Sequence, residues 1–236
     1  MANAALITGA AKRIGREIAL ALAGKGFDIA LHYHDSQKEA MRLAGEIRAL
    51  GRACETFQAN LADMSQVARL VPAVFDALPN CNLLVNNAAV FERGRFLEAG
   101  PDNFDRHFNI NLKAPFFLAR DFALRCNKGH IINLLDAKIA KNAGPYFVYS
   151  MTKKSLADFT KMAAAELAPN VRVNGICPGP MLPPPGMPQE YLEKLAPLVP
   201  LGHVGNPKLI AQSVIFLVEN EFITGQWLFV DGGQHL

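Results

Sequence analysis

Short apolar runs rich in Val, Ile, Leu and Ala alternate along the chain with longer stretches in which apolar residues recur every three or four positions. The short runs are typical of buried strands, and the longer stretches have the period of amphipathic helices. The pattern predicts strands over residues 4–8, 28–33, 53–58, 83–86, 130–134, 171–176 and 226–230. It predicts helices over residues 13–24, 36–50, 65–78, 103–124, 149–166 and 206–218.

Strands that alternate with helices predict a parallel sheet covered by helices on both faces, with right-handed crossovers. We therefore expect an α/β protein of the doubly wound Rossmann type, with about seven strands. No linker divides residues 1–236, so a single domain is expected. The run PGPMLPPPGMP within residues 178–200 cannot hold a helix or a central strand. Because it follows a strand, we expect it to form a lid over a ligand crevice.

Composition excludes several other classes of protein. Half of the 236 residues are hydrophobic, too many for a disordered chain, and no stretch approaches the roughly 20 apolar residues of a spanning helix. The N-terminus MANAALITGA lacks the pattern of a signal peptide. A net charge of +3 without a basic run argues against nucleic-acid binding. Four isolated cysteines predict no metal site and a reducing, cytoplasmic compartment.

A glycine-containing turn, TGAAKRIG, connects the first predicted strand to the first helix. Gly9 permits a tight turn, Gly15 permits close helix packing, and the free N–H groups of the helix start favour a pyrophosphate. Arg13 stands where the usual fingerprint has its middle glycine. A cation at a helix N-terminus opposes the helix dipole unless an anion is bound there, so we interpret Arg13 as facing a ligand.

The segment HYHDS, residues 32–36, ends the second predicted strand, where Rossmann proteins distinguish a ribose 2′-hydroxyl from a 2′-phosphate. No acid ends the strand itself, and His34 and Ser36 can donate to a phosphate. NADP(H) is therefore favoured and NAD(H) is not excluded, because Asp35 would repel a 2′-phosphate if it pointed inward. Ser36 also has an alternative explanation, since Ser36 and Glu39 match a helix capping box.

Tyr149 and Lys153 are four residues apart in YSMTK, at the start of a predicted helix, and so share one face. A lysine ammonium beside a phenol lowers the pKa of the tyrosine and makes it a usable acid–base near neutrality. Such a pair alone is weak evidence, because most exposed Tyr–Lys pairs belong to ordinary surfaces.

A wider set of motifs resembles the short-chain dehydrogenase/reductase family over nearly the whole chain: TGAAKRIG, NNAA at residues 86–89, Asn111 in a long helix, YSMTK, and the pair Pro178-Gly179. The resemblance implies that Tyr149 donates a proton, that Lys153 binds the nicotinamide ribose and tunes the tyrosine, and that Asn111 holds a water in the proton relay. It also implies a homotetramer or homodimer. The implied cofactor-binding residues are Gly9, Arg13, Ile14, Gly15, Tyr33, His34, Ser36, Asn60, Leu61, Asn86, Ala88, Lys153, Pro178 and Gly179.

Asp136 departs from the family pattern, which usually has a serine thirteen residues before the tyrosine. A carboxylate suits a substrate with N–H groups or a ring nitrogen that must be protonated, and it replaces a hydroxyl donor poorly toward a plain ketone. The alternative is that Asp136 is a surface residue of a degenerate enzyme.

The chain is more similar to the pteridine reductase subgroup, which combines TGAAKR, HYHxS, this aspartate and a phenylalanine shortly after NNA, here Phe91. The resemblance implies that Phe91 stacks on a pterin and that Arg13 contacts both the cofactor phosphate and the pterin. Two residues depart from it. Asp35 occupies a place where the subgroup often has arginine. Asn60 replaces the usual aspartate near the adenine, although its side-chain oxygen can still accept from the adenine amine.

The first hypothesis is an NADPH-dependent reductase of a pterin, bound by Arg13, Phe91, Asp136 and Tyr149. Hydride passes to a ring carbon, and Tyr149, assisted by Lys153 and Asp136, protonates the adjacent nitrogen. The second hypothesis is a carbonyl reductase of a 3-oxoacyl thioester or small ketone, against which Asp136 argues. The third is a catalytically silent nucleotide-sensing protein, which would not need the Tyr149, Lys153 and Asn111 set.

Overall fold

The strands of the sheet are all parallel, and across the sheet the third, second and first strands of the chain are followed by the fourth to the seventh in order. The computed structural model describes residues 3–142, 144–184 and 186–236. Met1, Ala2 and Ala143 of the expected domain, and Pro185 of the expected lid, lie outside the described residues. The strands are β1 (Ala4–Ile7), β2 (Asp28–Tyr33), β3 (Cys54–Gln58), β4 (Cys81–Asn86), β5 (Gly129–Leu134), β6 (Val171–Pro178) and β7 (Trp227–Val230). The predicted parallel sheet is confirmed.

The α-helices are α1 (Arg13–Gly24), α2 (Gln37–Ala49), α3 (Met64–Ala77), α4 (Pro101–Phe108), α5 (Ala114–Arg125), α6 (Phe147–Leu167), α7 (Glu190–Glu193) and α8 (Pro207–Glu219). The helix predicted over residues 103–124 corresponds to α4 and α5, which are joined by a π-helical turn, Asn109–Lys113. Within the described part of the chain, every helix is too short or too polar to cross a membrane.

The core consists of two apolar layers, one on each face of the sheet. Along β1, Ala5 and Ile7 belong to the layer that includes residues of α1, α2 and α8, while Ala4 and Leu6 belong to the layer with α3 and α5. Successive side chains of a strand point to opposite faces, so covering both faces buries every residue of β1. This explains why the strands read as continuous apolar runs rather than as alternating ones.

The direction of strand addition reverses at β1, which pairs with β2 on one side and with β4 on the other. In open parallel sheets such a reversal creates a crevice beyond the carboxyl ends of the strands, because the connections leave in opposite directions. The turn after β1 and the segment after β4 therefore meet at one edge of the sheet. The motifs TGAAKRIG and NNAA occupy these two positions.

The segment 178–200 differs in part from the expected irregular loop. Pro178 ends β6 by pairing with Val230, a position that proline tolerates because the ladder ends there. After the proline run, the segment contains α7 and a short 3₁₀ turn, Ala196–Leu198. The proline-rich part itself holds no helix in its described residues, 178–184 and 186–188, as the sequence predicts.

Candidate active site

The turn between β1 and α1 contains two residues with positive φ, Gly9 at +63° and Arg13 at +56°. This is the left-handed region, where glycine is at ease and other residues are strained by about 1–2 kcal/mol. Arg13, at the place of the middle glycine of the usual fingerprint, therefore adopts a conformation that glycine would adopt without strain. Gly15 is required by close approach, because a Cβ there would collide with the Gly9 carbonyl oxygen and lie 2.7 Å from Asn87 Nδ2.

The start of α1 has the electrostatic character of an anion site. Its N-cap residue, Lys12, makes no side-chain capping hydrogen bond, and the first turn contains no acid. The N–H groups and the positive end of the helix dipole are therefore not neutralised by an acidic side chain of α1, and two cations, Lys12 and Arg13, lie beside them. An anion such as pyrophosphate fits this environment. The Arg13 guanidinium also donates to the Pro183 carbonyl at 2.7 Å, which connects the turn to the 178–200 segment.

Asn87, which the motif-based prediction omitted, fixes the turn to the end of β4. Its Nδ2 donates to the carbonyl oxygens of Thr8 at 2.9 Å and Gly9 at 3.1 Å. In return, the N–H groups of Asn87 and Ala88 donate to Thr8 Oγ1, each at 3.0 Å. The neighbouring Asn86 is buried and donates to Asn133 Oδ1 at 2.9 Å. Of the two asparagines in the motif, the second contacts the phosphate turn, while the side chain of the first lies within the sheet.

The capping box predicted from Ser36 and Glu39 is wrong. Ser36 does stand at the N-cap of α2, but its side chain makes no capping hydrogen bond, and Glu39 instead approaches Lys12 at 3.6 Å. The Ser36 hydroxyl is therefore not committed to the helix start. Beside it, His34 Nδ1 lies 3.0 Å from Asp35 Oδ2 at an exposed position, so the imidazole and the carboxylate form a pair at the surface.

The remaining residues expected around the cofactor are more deeply placed. Tyr33 is 5% exposed and packs in the core layer with α1 and α2, against which Ile14 also packs. Leu61 is buried in the other layer. Asn60 Oδ1 accepts from the Ala62 N–H at 2.9 Å, which leaves one further lone pair for another donor.

Tyr149 lies in the first turn of α6 and donates its hydroxyl to Asp136 Oδ2 at 2.8 Å. Burial raises the pKa of Tyr149 well above its usual value, and the Asp136 carboxylate raises it further because it stabilises the protonated phenol. The sequence predicts the opposite direction, a pKa lowered by Lys153. That prediction is wrong for the protein alone, because the Lys153 ammonium donates to the Leu134 carbonyl at 2.6 Å and lies 5.8 Å from the centre of the phenol ring.

Lys153 itself is buried, and its burial lowers the pKa of its ammonium to about 8, with Asp136 acting in the opposite direction. Two neighbouring groups act on the Lys153 ammonium in different ways. The Leu134 carbonyl orients the ammonium, while the carboxylate of Asp136 partly compensates the charge.

The two oxygens of Asp136 have different partners. Oδ1 accepts from the Lys138 N–H at 2.8 Å, which caps the short 3₁₀ turn Ala137–Ala140, and the Lys138 ammonium lies 3.5 Å away. Oδ2 faces the Tyr149 hydroxyl. The side chain of Asp136 is only 14% exposed. Asp136 is thus held in the site from two sides, which argues against an incidental surface residue.

Asn111 lies in the π-helical turn and is fully buried. Its Oδ1 accepts from the Val90 N–H at 2.9 Å, and its Nδ2 donates to the Val90 carbonyl at 3.0 Å and to Thr152 Oγ1 at 3.1 Å. Thr152 in turn donates to the Tyr149 carbonyl at 2.7 Å. The side chain of Asn111 therefore connects the segment after β4 to the helix that bears the tyrosine.

Phe91, which the resemblance assigns to the substrate, lies beside Tyr149. The two rings meet edge to face with centroids 4.7 Å apart. One face of Phe91 stacks on Tyr146 at 4.2 Å, and the Lys138 ammonium lies 5.3 Å from the Phe91 ring centre. Tyr146 was not predicted as a site residue, although an aromatic residue three positions before Tyr149 was the available signal.

Gly179 follows Pro178 at the carboxyl end of β6. Its N–H donates to the Val230 carbonyl at 3.0 Å, and a Cβ on Gly179 would lie 2.6 Å from Asp231 Cα. The segment after β7 therefore approaches so closely that only glycine fits at this position.

The chain shows extensive similarity to known reductases. Residues 9–235 match a family model described as enoyl-(acyl carrier protein) reductase. The chain is 33% identical to the 3-oxoacyl-[acyl-carrier-protein] reductase FabG of Staphylococcus aureus, over 100% of this chain and 99% of that protein. It is also 33% identical to pteridine reductase 1 of Leishmania tarentolae, over 100% of this chain and 97% of that protein. The structure of FolM alternative dihydrofolate reductase 1 from Brucella suis, in complex with NADP, superposes with a TM-score of 0.92 at 34% identity, covering 99% and 95% of the two chains.

Proposed function

Because this chain belongs to the short-chain dehydrogenase/reductase family, an NAD(P)-dependent oxidoreductase family, we propose that it reduces a pterin of the dihydropterin type with NADPH. The observation that carries the proposal is the 2.8 Å hydrogen bond from the Tyr149 hydroxyl to Asp136 Oδ2, beside the ring of Phe91. It places a proton donor, a carboxylate acceptor and an aromatic surface together.

NADP(H) is the cofactor that suits the crevice, as in the related FolM structure with NADP. When bound, it supplies the hydride. The start of α1, with Gly9, Gly15 and Arg13, would hold its pyrophosphate. His34 and the uncommitted Ser36 hydroxyl would receive the 2′-phosphate. The adenine would be held by Asn60 and Leu61, and the nicotinamide end by Ala88, Lys153, Pro178 and Gly179.

Asp136 is the residue that selects the substrate in this proposal. An ionised carboxylate only accepts hydrogen bonds, so Asp136 suits a substrate that presents N–H groups or a ring nitrogen that must be protonated, as a pterin does. A simple ketone offers only a carbonyl oxygen, which would face another acceptor and leave both groups unsatisfied. Phe91 adds an apolar ring surface next to this acceptor, and Arg13 lies at the phosphate end of the same crevice.

Tyr149 acts as the acid in the proposed reaction. Its raised pKa keeps the phenol protonated at neutral pH, so a proton is available for the ring nitrogen next to the carbon that is reduced. Lys153, with a pKa of about 8, exchanges protons readily near neutrality and stabilises the negative charge that develops on the phenol. Both donors of the Asn111 side chain are used by Val90 and Thr152, so a relay water at Asn111 would have to donate to an acceptor.

The segment 178–200 serves in this proposal as the lid over the substrate. Its described residues reach the phosphate turn through the 2.7 Å bond from Arg13 to the Pro183 carbonyl. Subunits would associate as a homodimer or homotetramer through α5 and α6, where Phe116 is 44% and Met162 is 72% exposed. Exposed apolar side chains of this size on neighbouring helices are typical of an interaction surface.

One observation favours a second candidate, a carbonyl reductase of 3-oxoacyl thioesters: the FabG relative is as similar in identity as the pteridine reductase. The acceptor at Asp136 argues against it. The intact set of Tyr149, Lys153 and Asn111 argues against the third alternative, a silent nucleotide sensor, because binding alone requires no proton relay.

The test is to measure NADPH oxidation by the purified protein with 7,8-dihydrobiopterin and, separately, with an acetoacetyl thioester. We expect turnover with the pterin and at least tenfold lower kcat/KM with the thioester. Turnover of the thioester alone would establish the carbonyl reductase instead. Tight NADPH binding without turnover of either substrate would support the silent sensor.

A further inference from the structure

A buried imidazole joins the phosphate turn to the neighbouring strand ends. His32, in β2, is 1% exposed, and it is not among the residues assigned above to cofactor, substrate or proton transfer. Its Nδ1 lies 3.1 Å from the Gly9 N–H, and its Nε2 lies 3.0 Å from the Ala59 carbonyl oxygen beyond the end of β3. The His32 carbonyl also accepts from the Ala10 N–H at 2.9 Å.

The two partners determine the state of the ring. The Gly9 N–H can only donate and the Ala59 carbonyl can only accept, so Nδ1 must carry the lone pair and Nε2 the proton. One neutral tautomer satisfies both contacts. Burial lowers the pKa of His32 to about 4, and the nearby His34 acts in the same direction, so this neutral form is present at neutral pH.

The phosphate turn is therefore held from both sides. Thr8 and Asn87 attach it to the end of β4, and His32 attaches it to β2 and β3. Gly9 must keep its positive φ between these attachments, and it must remain glycine because an added Cβ would lie 3.1 Å from Ala88 Cα. Fixing Gly9 fixes the direction in which the N–H groups at the start of α1 point, and a preorganised turn binds an anion without an ordering cost.

We propose that His32 is a positioning residue for the cofactor, and that it acts by accepting a hydrogen bond from the Gly9 N–H before NADP(H) binds. This role of His32 concerns the phosphate turn. It is therefore tested by cofactor binding and does not depend on which substrate is reduced.

Two conservative substitutions separate this role from general stability. The side-chain amide of Asn places its oxygen near the position of Nδ1, so His32→Asn keeps an acceptor for Gly9. His32→Gln places its amide near the position of Nε2, so it keeps a donor for Ala59 and loses the Gly9 contact. His130 is the matched control, because it is also buried, with a pKa lowered to about 3. It lies near the amino end of β5, whereas His32 lies near the carboxyl end of β2.

The experiment measures the Kd of NADPH by fluorescence titration of H32N, H32Q and H130Q without substrate, together with amide hydrogen exchange of Gly9 in the free proteins. We expect H32Q to raise the Kd of NADPH roughly tenfold, which corresponds to the loss of about one hydrogen bond. We also expect faster hydrogen exchange of the Gly9 amide in H32Q. H32N should stay within about threefold of wild type, and H130Q should leave Kd unchanged.

Steady-state kinetics give a second readout: KM for NADPH should rise in H32Q while kcat at saturating NADPH is retained. The proposal is overturned if H32Q binds NADPH as wild type does, if H32N and H32Q weaken binding equally, or if H130Q weakens it as much as H32Q. Failure of pterin turnover with an intact pattern of Kd values would contradict the proposed substrate and leave the role of His32 standing.

Discussion

Asp136 and Tyr149, thirteen residues apart in the chain, are joined by a hydrogen bond of 2.8 Å from the phenol hydroxyl to Oδ2. The bond brings the carboxylate into the candidate active site and favours the protonated phenol. Asp136 reaches Tyr149 because it lies two residues beyond the end of β5 and is held by the 3₁₀ turn that it caps. Tyr149 lies in the first turn of α6, which packs beside that 3₁₀ turn.

Replacing the carboxylate tests its role in selecting the substrate. Asp136→Asn keeps the shape and adds a donor where a pterin N–H requires an acceptor, and Asp136→Ser restores the residue usual in the family. We expect kcat/KM for the pterin to fall by roughly 10- to 100-fold in both, which corresponds to the loss of a hydrogen bond to a charged group. Steady-state kinetics measure this fall in kcat/KM, and NADPH titration should give an unchanged Kd.

Asp158→Asn, at an exposed position of α6, is the control and should keep wild-type pterin turnover. Unchanged pterin turnover in D136N would refute the role of Asp136.

Lys153 makes a pH-dependent contribution to stability. Its pKa is about 8 in the folded protein against an ordinary 10.5, so between these values the unfolded chain binds more protons. The free energy of unfolding therefore rises with pH across this window. Between pH 7.5 and 9.5 we expect wild type to gain about 2 kcal/mol relative to Lys153→Met in urea unfolding. Lys141→Met, in an exposed loop, should keep the wild-type slope. Equal slopes in wild type and K153M would contradict the lowered pKa.

Arg13 should reverse the normal preference for alanine over glycine in helices. In a helix interior alanine is more stable than glycine by about 1 kcal/mol. At φ +56° the order changes, because alanine retains the strain of the left-handed region and glycine does not. We expect Arg13→Gly to be about 1 kcal/mol more stable than Arg13→Ala in chemical denaturation. Both variants lose the guanidinium, so the comparison isolates the backbone. A more stable R13A would contradict the turn geometry.

Gly179→Ala should destabilise the fold. The added Cβ would lie 2.6 Å from the backbone of Asp231, which cannot move without disturbing the end of β7. Overpacking of this kind costs about 1–3 kcal/mol. Gly45→Ala on α2 is the matched control, since a Cβ there meets nothing, and it should stabilise the protein by about 0.5–1 kcal/mol. Thermal and urea unfolding would measure both, and a neutral G179A would exclude the close approach.

The pattern of apolar and polar residues is enough to predict the sheet, most of the helices and the order of the motifs. Burial on both faces requires continuous apolar strands, and helix packing requires a period of three to four, so both leave their pattern in the chain. The family motifs predict that Tyr149, Lys153, Phe91 and Asp136 lie in one crevice. Local turn chemistry was less decisive, because Ser36 and Glu39 match a capping box that does not form.

Three features follow from the fold and not from the sequence pattern. Asn87 rather than Asn86 contacts the phosphate turn, and Tyr146 stacks on Phe91. His32 contacts the Gly9 N–H and the Ala59 carbonyl. The fold also reversed the direction of the Tyr149 pKa. These outcomes depend on distances between groups far apart in the chain. Lys153, four residues from Tyr149, donates its hydrogen bond to the Leu134 carbonyl. Asp136, thirteen residues from Tyr149, accepts the hydrogen bond of the phenol hydroxyl. A pKa shift follows burial and the nearest charge, and neither can be read from spacing along a helix.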